Sequence, residues 1–159
     1  MAMSPDGEVL SVVEGSAYAG SLLLHNLSTT PEMGELASAS LTDLDALTYA
    51  GAGAILTGAQ YRGVAVRSPQ TLAATRHLHY GYCCTALAAS QDGRYAAGAS
   101  NEGFVVWEVA SGRVVGEVPR AHRDRIVSLA FSADGKHLAT GSRDTTILVW
   151  DVAKLPQHV

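Results

Sequence analysis

The chemistry-bearing side chains of this 159-residue sequence fall into two groups. The sharper one is His77-Leu-His79-Tyr-Gly-Tyr-Cys83-Cys84. Two histidines at i, i+2 share one face of a strand, and imidazole with thiolate is a ligand set that suits zinc. The spacing matches no zinc finger, however, and adjacent cysteines on a strand point to opposite faces. The competing reading is a strand leading into another, with the thiols buried as small hydrophobes. A metal-binding or hydrolytic protein built on His77, His79, Cys83 and Cys84 is therefore the alternative from outside the binding-protein class. Ser, His and Asp all occur, but no Gly-x-Ser-x-Gly elbow holds a nucleophile exposed. Gly51-Ala-Gly53 lacks the third glycine and following helix of a dinucleotide loop. The sequence thus predicts no catalytic residue, no metal and no cofactor.

The second group is basic: Arg120, His122, Arg123 and Arg125 in one stretch, and Arg143 further on. A guanidinium grips carboxylate or phosphate through two parallel hydrogen bonds, so such a cluster suits an acidic or phosphorylated peptide. Its competing reading is a solvated basic loop partly neutralised by Asp124. No aromatics interleave the arginines and the net charge is −4, so nucleic acid is not the expected partner. Asn26-Leu-Ser28 fits a glycan sequon, but Met1–Gly15 has neither a basic start nor an apolar h-region. The two cysteines are adjacent and make no disulfide framework, which points to an intracellular, cytoplasmic setting.

The elements that must position these groups are strands. Apolar residues make 47% of the chain and charged residues 16%, which excludes a disordered tail and a coiled coil. Charge is segregated: residues 1–61 hold seven acids and no Lys or Arg, whereas residues 62–159 hold eleven basic residues and eight acids. The stretch without Asp, Glu, Lys or Arg at Ala46–Tyr61 is too short and too small-residued to span a bilayer.

The chain also repeats itself. Leu129–Val152 reads LAFSADGKHLATGSRDTTILVWDV and Leu87–Val109 reads LAASQDGRYAAGASNEGFVVWEV. Asp92 and Asp134 are 42 residues apart, and Trp107 and Trp150 are 43 apart. Weaker copies lie upstream, with Ser4-Pro-Asp-Gly7 in one and Ala52-Gly53 where the other should have Asp-Gly. Within the last copy, Ile126–Phe131, Leu138–Gly141 and Ile147–Trp150 read as strands, separated by turns at Asp134-Gly135 and Arg143–Thr146. Gly116–Pro119 supplies a further strand, and no window shows a convincing 3.6 period. Four strands per roughly 40 residues is the pattern of a β-propeller blade.

The last two copies resemble WD40 repeats, most specifically the fourth. It carries Ala121-His122, Ser132-Ala133-Asp134-Gly135, Thr140-Gly141-Ser142-Arg143-Asp144 and Trp150-Asp151. The run Asp144–Trp150 looks equally like blades of the propeller that follows BEACH domains and blades of large bacterial WD40 proteins. The resemblance implies a buried structural tetrad of His122, Thr140, Asp144 and Trp150. Blade three would have it incomplete, with Ala97 and the Asn101-Glu102-Gly103 turn in its place; blade two has no Trp, and blade one has Leu24-His25-Asn26. The resemblance further implies that the two arginine-bearing loops emerge on one face that binds protein or peptide, with Arg120, Arg123, Arg125 and Arg143 as the contacts.

The expected fold is all-β: a partial β-propeller of about four blades, each a four-stranded antiparallel sheet, with units at about 1–36, 37–76, 77–118 and 119–159. The expected role is a non-catalytic protein-interaction scaffold without a membrane span. Four units make about half of a usual WD40 ring of about seven blades. The chain is accordingly expected to be part of a longer propeller chain or assembly. The alternative is a half-propeller that closes a ring by homodimerisation through its open blade edges, and a small four-bladed ring comes last.

Overall fold

Ser4, Ser90 and Ser132 begin the same local device. Each hydroxyl donates to the Asp two residues on, Asp6, Asp92 or Asp134, at 2.5–2.6 Å. That Asp accepts the amide of Glu8, Arg94 or Lys136, and the serine oxygen accepts the amide of Val9, Tyr95 or His137. The glycine between, Gly7, Gly93 or Gly135, has φ of +76°, +73° or +67°, which an L side chain adopts only at a cost. These closed turns send the chain back on itself as antiparallel hairpins.

The computed structural model describes residues 1–16, 19–27, 34–41, 44–59, 63–78 and 84–157. They form four antiparallel sheets in chain order. Sheet one is β1 (Ala2–Met3), β2 (Val9–Ser16), β3 (Ala19–Asn26) and β4 (Gly34–Leu41). Sheet two is β5 (Ala46–Ala50), β6 (Ala54–Ala59), β7 (Gly63–Arg67) and β8 (Ala74–Leu78). Sheet three is β9 (Ala86–Ala89), β10 (Tyr95–Ser100), β11 (Gly103–Glu108) and β12 (Val114–Val118). Sheet four is β13 (Ile126–Phe131), β14 (His137–Ser142) and β15 (Ile147–Asp151). The only helix among the described residues is the short 3-10 turn Val152–Lys154. The first strands of successive sheets, β1, β5, β9 and β13, adjoin one another, and the sheets stack face to face along that line. This is the architecture of an open β-propeller segment.

Three apolar cores fill the three junctions. Leu22, Leu24, Ile55 and Leu72 lie between sheets one and two, and Leu56, Val66, Leu78, Ala96, Val105 and Trp107 between sheets two and three. Between sheets three and four are Phe104, Val106, Ile126 and Leu138, with Trp150 edge-on to Phe104 at 5.2 Å. Sheets two and three therefore send alternate residues to their two neighbours, as a pleated strand must.

One turn and one boundary differ from the sequence reading. In sheet two the hairpin closes through Gly51, at φ +54°, and Ala50 pairs with Ala54, so Ala52-Gly53 does not play the Asp-Gly part. A Cβ on Gly93 would sit 2.9 Å from the Ala50 carbonyl oxygen, so the turns of sheets two and three meet backbone to backbone. Sheet one runs to Leu41, past the 36/37 boundary read from the sequence.

Sheet four has three strands rather than the expected four. In sheet three, Gly112 at φ +75° turns the chain from β11 back into β12. Leu155 stands at the matching position in sheet four, extended at φ −61°, ψ 142°, and Pro156 holds it there. The chain runs on to the outer edge of sheet three instead: the Glu117 amide donates to the Pro156 carbonyl at 3.0 Å, and Gln157 Nε2 donates to the Val115 carbonyl at 2.7 Å. Leu155 is buried there, directly over Gly116, where even a Cβ would collide with it.

Candidate functional site

Strand register defines one recurring position. A β-bulge follows Leu24, Val66 and Val106, and the next residue is His25, Arg67 or Trp107. In sheet four the same position holds Trp150, paired with Leu138 as Trp107 is with Ala96. Two residues earlier on these strands, the cross-strand partner is Val12, Thr57, Gly98 or Thr140. The residue of sheet three that matches Thr140 is thus Gly98, not Ala97.

In sheet four the Trp150 indole N–H donates to Thr140 Oγ1 at 3.0 Å. Thr140 Oγ1 lies 2.6 Å from His122 Nε2, and both residues are buried. On the other side of the ring, Nδ1 faces Asp144 Oδ2 at 3.2 Å and, at 2.9 Å, Thr146 Oγ1, whose own hydrogen goes to Asp144 Oδ1; both face it as acceptors, so Nδ1 donates. His122, Thr140, Asp144 and Trp150 are therefore brought together in one hydrogen-bonded chain.

Asp144 ends that chain. It accepts from the Thr146 hydroxyl and amide, the Arg123 amide and His122. Those donors, the Thr146 hydroxyl first, hold its carboxyl far below the usual carboxylate range. Thr145, next to it, sits at φ +70°, a strained conformation for a β-branched residue, and the bonds to Asp144 on either side keep it there.

Sheet two reaches a similar end with different chemistry. Arg67 occupies the tryptophan position, and its Nε donates to Thr57 Oγ1 at 2.9 Å, as the indole does to Thr140. Its Nη1 donates to the Leu72 carbonyl at 2.9 Å, and burial lowers its pKa. Sequence reading missed this pair because an arginine ending an apolar strand reads as a surface residue; register alone exposes it.

The arginine-bearing loop, residues 119–125, is held between two turns. The Ala121 and His122 amides donate to the Glu102 carbonyl, and the Ile126 amide to that of Asn101. On the other side, the Arg143 amide donates to the Arg125 carbonyl and Ser142 Oγ to that of Asp124. Between these supports lies a groove of about 800 Å³ whose walls carry Arg120, Arg123, Glu102, His122 and Asp144, with Leu148 also lining it. Of the four predicted contact arginines, Arg120 and Arg123 line the groove, while Arg125 and Arg143 stand outside it. All four are exposed, and none is ion-paired among the described residues.

Of the other predicted cluster, the structure describes His77 and Cys84. His77 lies exposed on β8, and the Cys84 thiol is buried against sheet two, 3.9 Å from the Gly63 carbonyl. His79 and Cys83 lie outside the described residues. Among the described residues, no group of three His, Cys, Asp or Glu side chains is placed to hold a metal, and no helix is long and apolar enough to cross a membrane.

Stacked four-stranded sheets, Asp-turn hairpins and an indole–hydroxyl–imidazole chain define a repeat propeller protein. Residues 113–151 match the family model of the WD domain, G-beta repeat, so this stretch carries a WD40 repeat. The match begins with β12 and ends with β15, so one repeat straddles sheets three and four. The chain is 35% identical over 82 residues to the 66 kDa stress protein of Physarum polycephalum, covering 51% of this chain and 14% of that protein. It is 42% identical over 71 residues to a guanine nucleotide-binding protein subunit beta of Arabidopsis thaliana, covering 42% of this chain and 19% of that one. It is 44% identical over 52 residues to BEACH domain-containing protein B of the same plant, covering 33% and 2%. The matched stretch thus spans less than a fifth of each of these relatives.

Proposed function

We propose that this chain is a non-catalytic platform for protein binding, and that the groove beside the sheet-four loops takes an acidic or phosphorylated segment of a partner. The observation that carries this reading is the pair Arg120 and Arg123, guanidinium groups without a carboxylate partner on a loop whose backbone is fixed at both ends. A loop backbone already held at both ends forfeits little entropy on binding an anion. Asp144 beside it already accepts from four hydrogen-bond donors, and Glu102 is the other acid of the groove. Arg125 and Arg143 extend the positive field beyond the groove. The exposed apolar residues of sheet four fit a chain that works as part of a longer propeller or assembly. The lone adjacent cysteine pair remains the argument for an intracellular setting.

The test is fluorescence anisotropy with a glutamate-rich peptide and its phosphoserine counterpart. The wild-type chain binds at least one of them, and Arg120→Glu with Arg123→Glu weakens that binding about tenfold or more, about 1.4 kcal/mol, with melting unchanged. Equal binding by the double variant, or no binding of either peptide by the wild type, overturns the reading.

A further inference from the structure

Each internal junction of this molecule is made from two unlike faces. The earlier sheet contributes its third strand, and between sheets three and four those residues are Phe104 and Val106, 1% and 0% exposed. The later sheet contributes Leu138 and Trp150, with Thr140 and the part-exposed Leu148 paired two residues along on the same face.

The molecule also has one unpartnered copy of each face. By register, Ile147 and Val149 of β15 correspond to Phe104 and Val106, yet they are 76% and 67% exposed, with Val127 beside them at 48%. At the other end, sheet one has Val9 and Val13 packed toward sheet two, so Leu10, Val12 and Glu14 of β2 face away from it. Their partners on β3 are His25, Leu23 and Ser21. Leu10, Val12, Leu23 and His25 are the register counterparts of Leu138, Thr140, Leu148 and Trp150. The two open faces are therefore the two halves of one junction.

We infer that a second copy of this chain fills both faces, sheet four of each copy packing on sheet one of the other, so that two chains close a ring of eight sheets. Four sheets per chain allow closed rings of four or eight within the usual range of about 4–8 blades. A four-sheet ring would bury Ile147 and Val149 against the same chain's sheet one, and they are exposed. Charge agrees in sign and in level. Glu14 stands toward the β2–β3 turn of sheet one, and Arg143 stands in the turn between β14 and β15. The two are at corresponding heights, so the junction sets the acidic half of one copy against the basic half of the other. A face-to-face pairing of two sheet-four ends would instead oppose Arg125 and Arg143 to themselves. The two junctions of such a ring are identical.

Sedimentation of the full 159-residue chain at micromolar concentration tests this. The wild type sediments as a dimer. Val149→Asp, which blocks sheet four, and Leu23→Asp, which blocks sheet one, each sediment as monomers with native circular dichroism. Mixed one to one, they recover a dimer, because one intact junction can form between them. Glu14→Arg leaves both apolar faces whole; it weakens the dimer several-fold, and Arg143→Glu in the same chain restores it. A monomeric wild type, or a dimer that survives Val149→Asp, overturns the inference. So does a dimer lost in Val149→Asp but kept in both Leu23→Asp and Glu14→Arg, which would mean that sheet four pairs with itself.

Discussion

Thr140→Val probes the hydrogen-bonded chain of sheet four with almost no change of shape. The side chain is fully buried, and its hydroxyl is shared by the Trp150 indole at 3.0 Å and the His122 imidazole at 2.6 Å. Valine fills the same volume, so the transfer and cavity terms stay small and the loss is polar. Two groups are stranded together: a half-buried N–H and a fully buried ring nitrogen. Each costs about 1–3 kcal/mol when left unmatched, and the indole belongs at the low end because it is not fully buried. The expected loss is about 2–4 kcal/mol, or a fall of about 5–15 °C in melting temperature for a chain of this length. Differential scanning calorimetry reads it, and urea melts should show a lower midpoint with an unchanged slope. The matching change in sheet three, Gly98→Ala, carries no such polar loss and separates packing from hydrogen bonding. A Thr140→Val chain that melts within a degree or two of wild type would refute the account of the network.

Arg67→Met keeps the length and apolar stem but removes the donors to Thr57 and the Leu72 carbonyl; urea melts should show a loss of about 1–2 kcal/mol. Gly116→Ala pushes Leu155 off β12, so hydrogen exchange at the Glu117 amide should rise and stability fall by about 1–3 kcal/mol, whereas unchanged exchange would mean that the tail is not held there. Asp6, Asp92, Asp134, Asp144 and Asp151 all have carboxyls lowered by hydrogen-bond donors, Ser4, Ser90, Ser132, Thr146 and Lys154 in turn. Groups depressed in the folded state stabilise it above the unfolded-chain pKa, about 3.9 for Asp, and lose that contribution as pH falls below it. Chemical melts should therefore be steady from neutral pH to about 5 and weaken steeply from about 4 downward; a flat profile to pH 2 would contradict the turn geometry.

The strands and turns of the last repeat were legible because each rests on local chemistry. Ser132-x-Asp134-Gly135 closes its own hairpin through hydrogen bonds within six residues, and Ile126–Phe131 is β13 to the residue. What escaped was decided by register between strands. Arg67 takes the place of a tryptophan because the β6–β7 register pairs it with Ile55, two residues along from the Thr57–Ala65 pair. Sheet four was expected to have four strands because Gly116–Pro119 supplied one to the unit before it. The choice between a turn and an extended chain hung on Gly112 against Leu155-Pro156, a difference visible in the sequence. The basic face was legible as composition, yet which arginines share a groove depends on how loop 119–125 is pinned, and only Arg120 and Arg123 reach it.

The route of the last residues also has a mechanical meaning. Because residues 155–157 are bonded to β12, a pull applied beyond Gln157 does not first peel β15 from sheet four. The load enters sheet three at Val115 and Glu117, is shared with the buried Leu155 over Gly116, and reaches β15 only after those contacts yield. A strand whose Ile147 and Val149 stand uncovered is thus shielded from tension by an anchor set one sheet behind it.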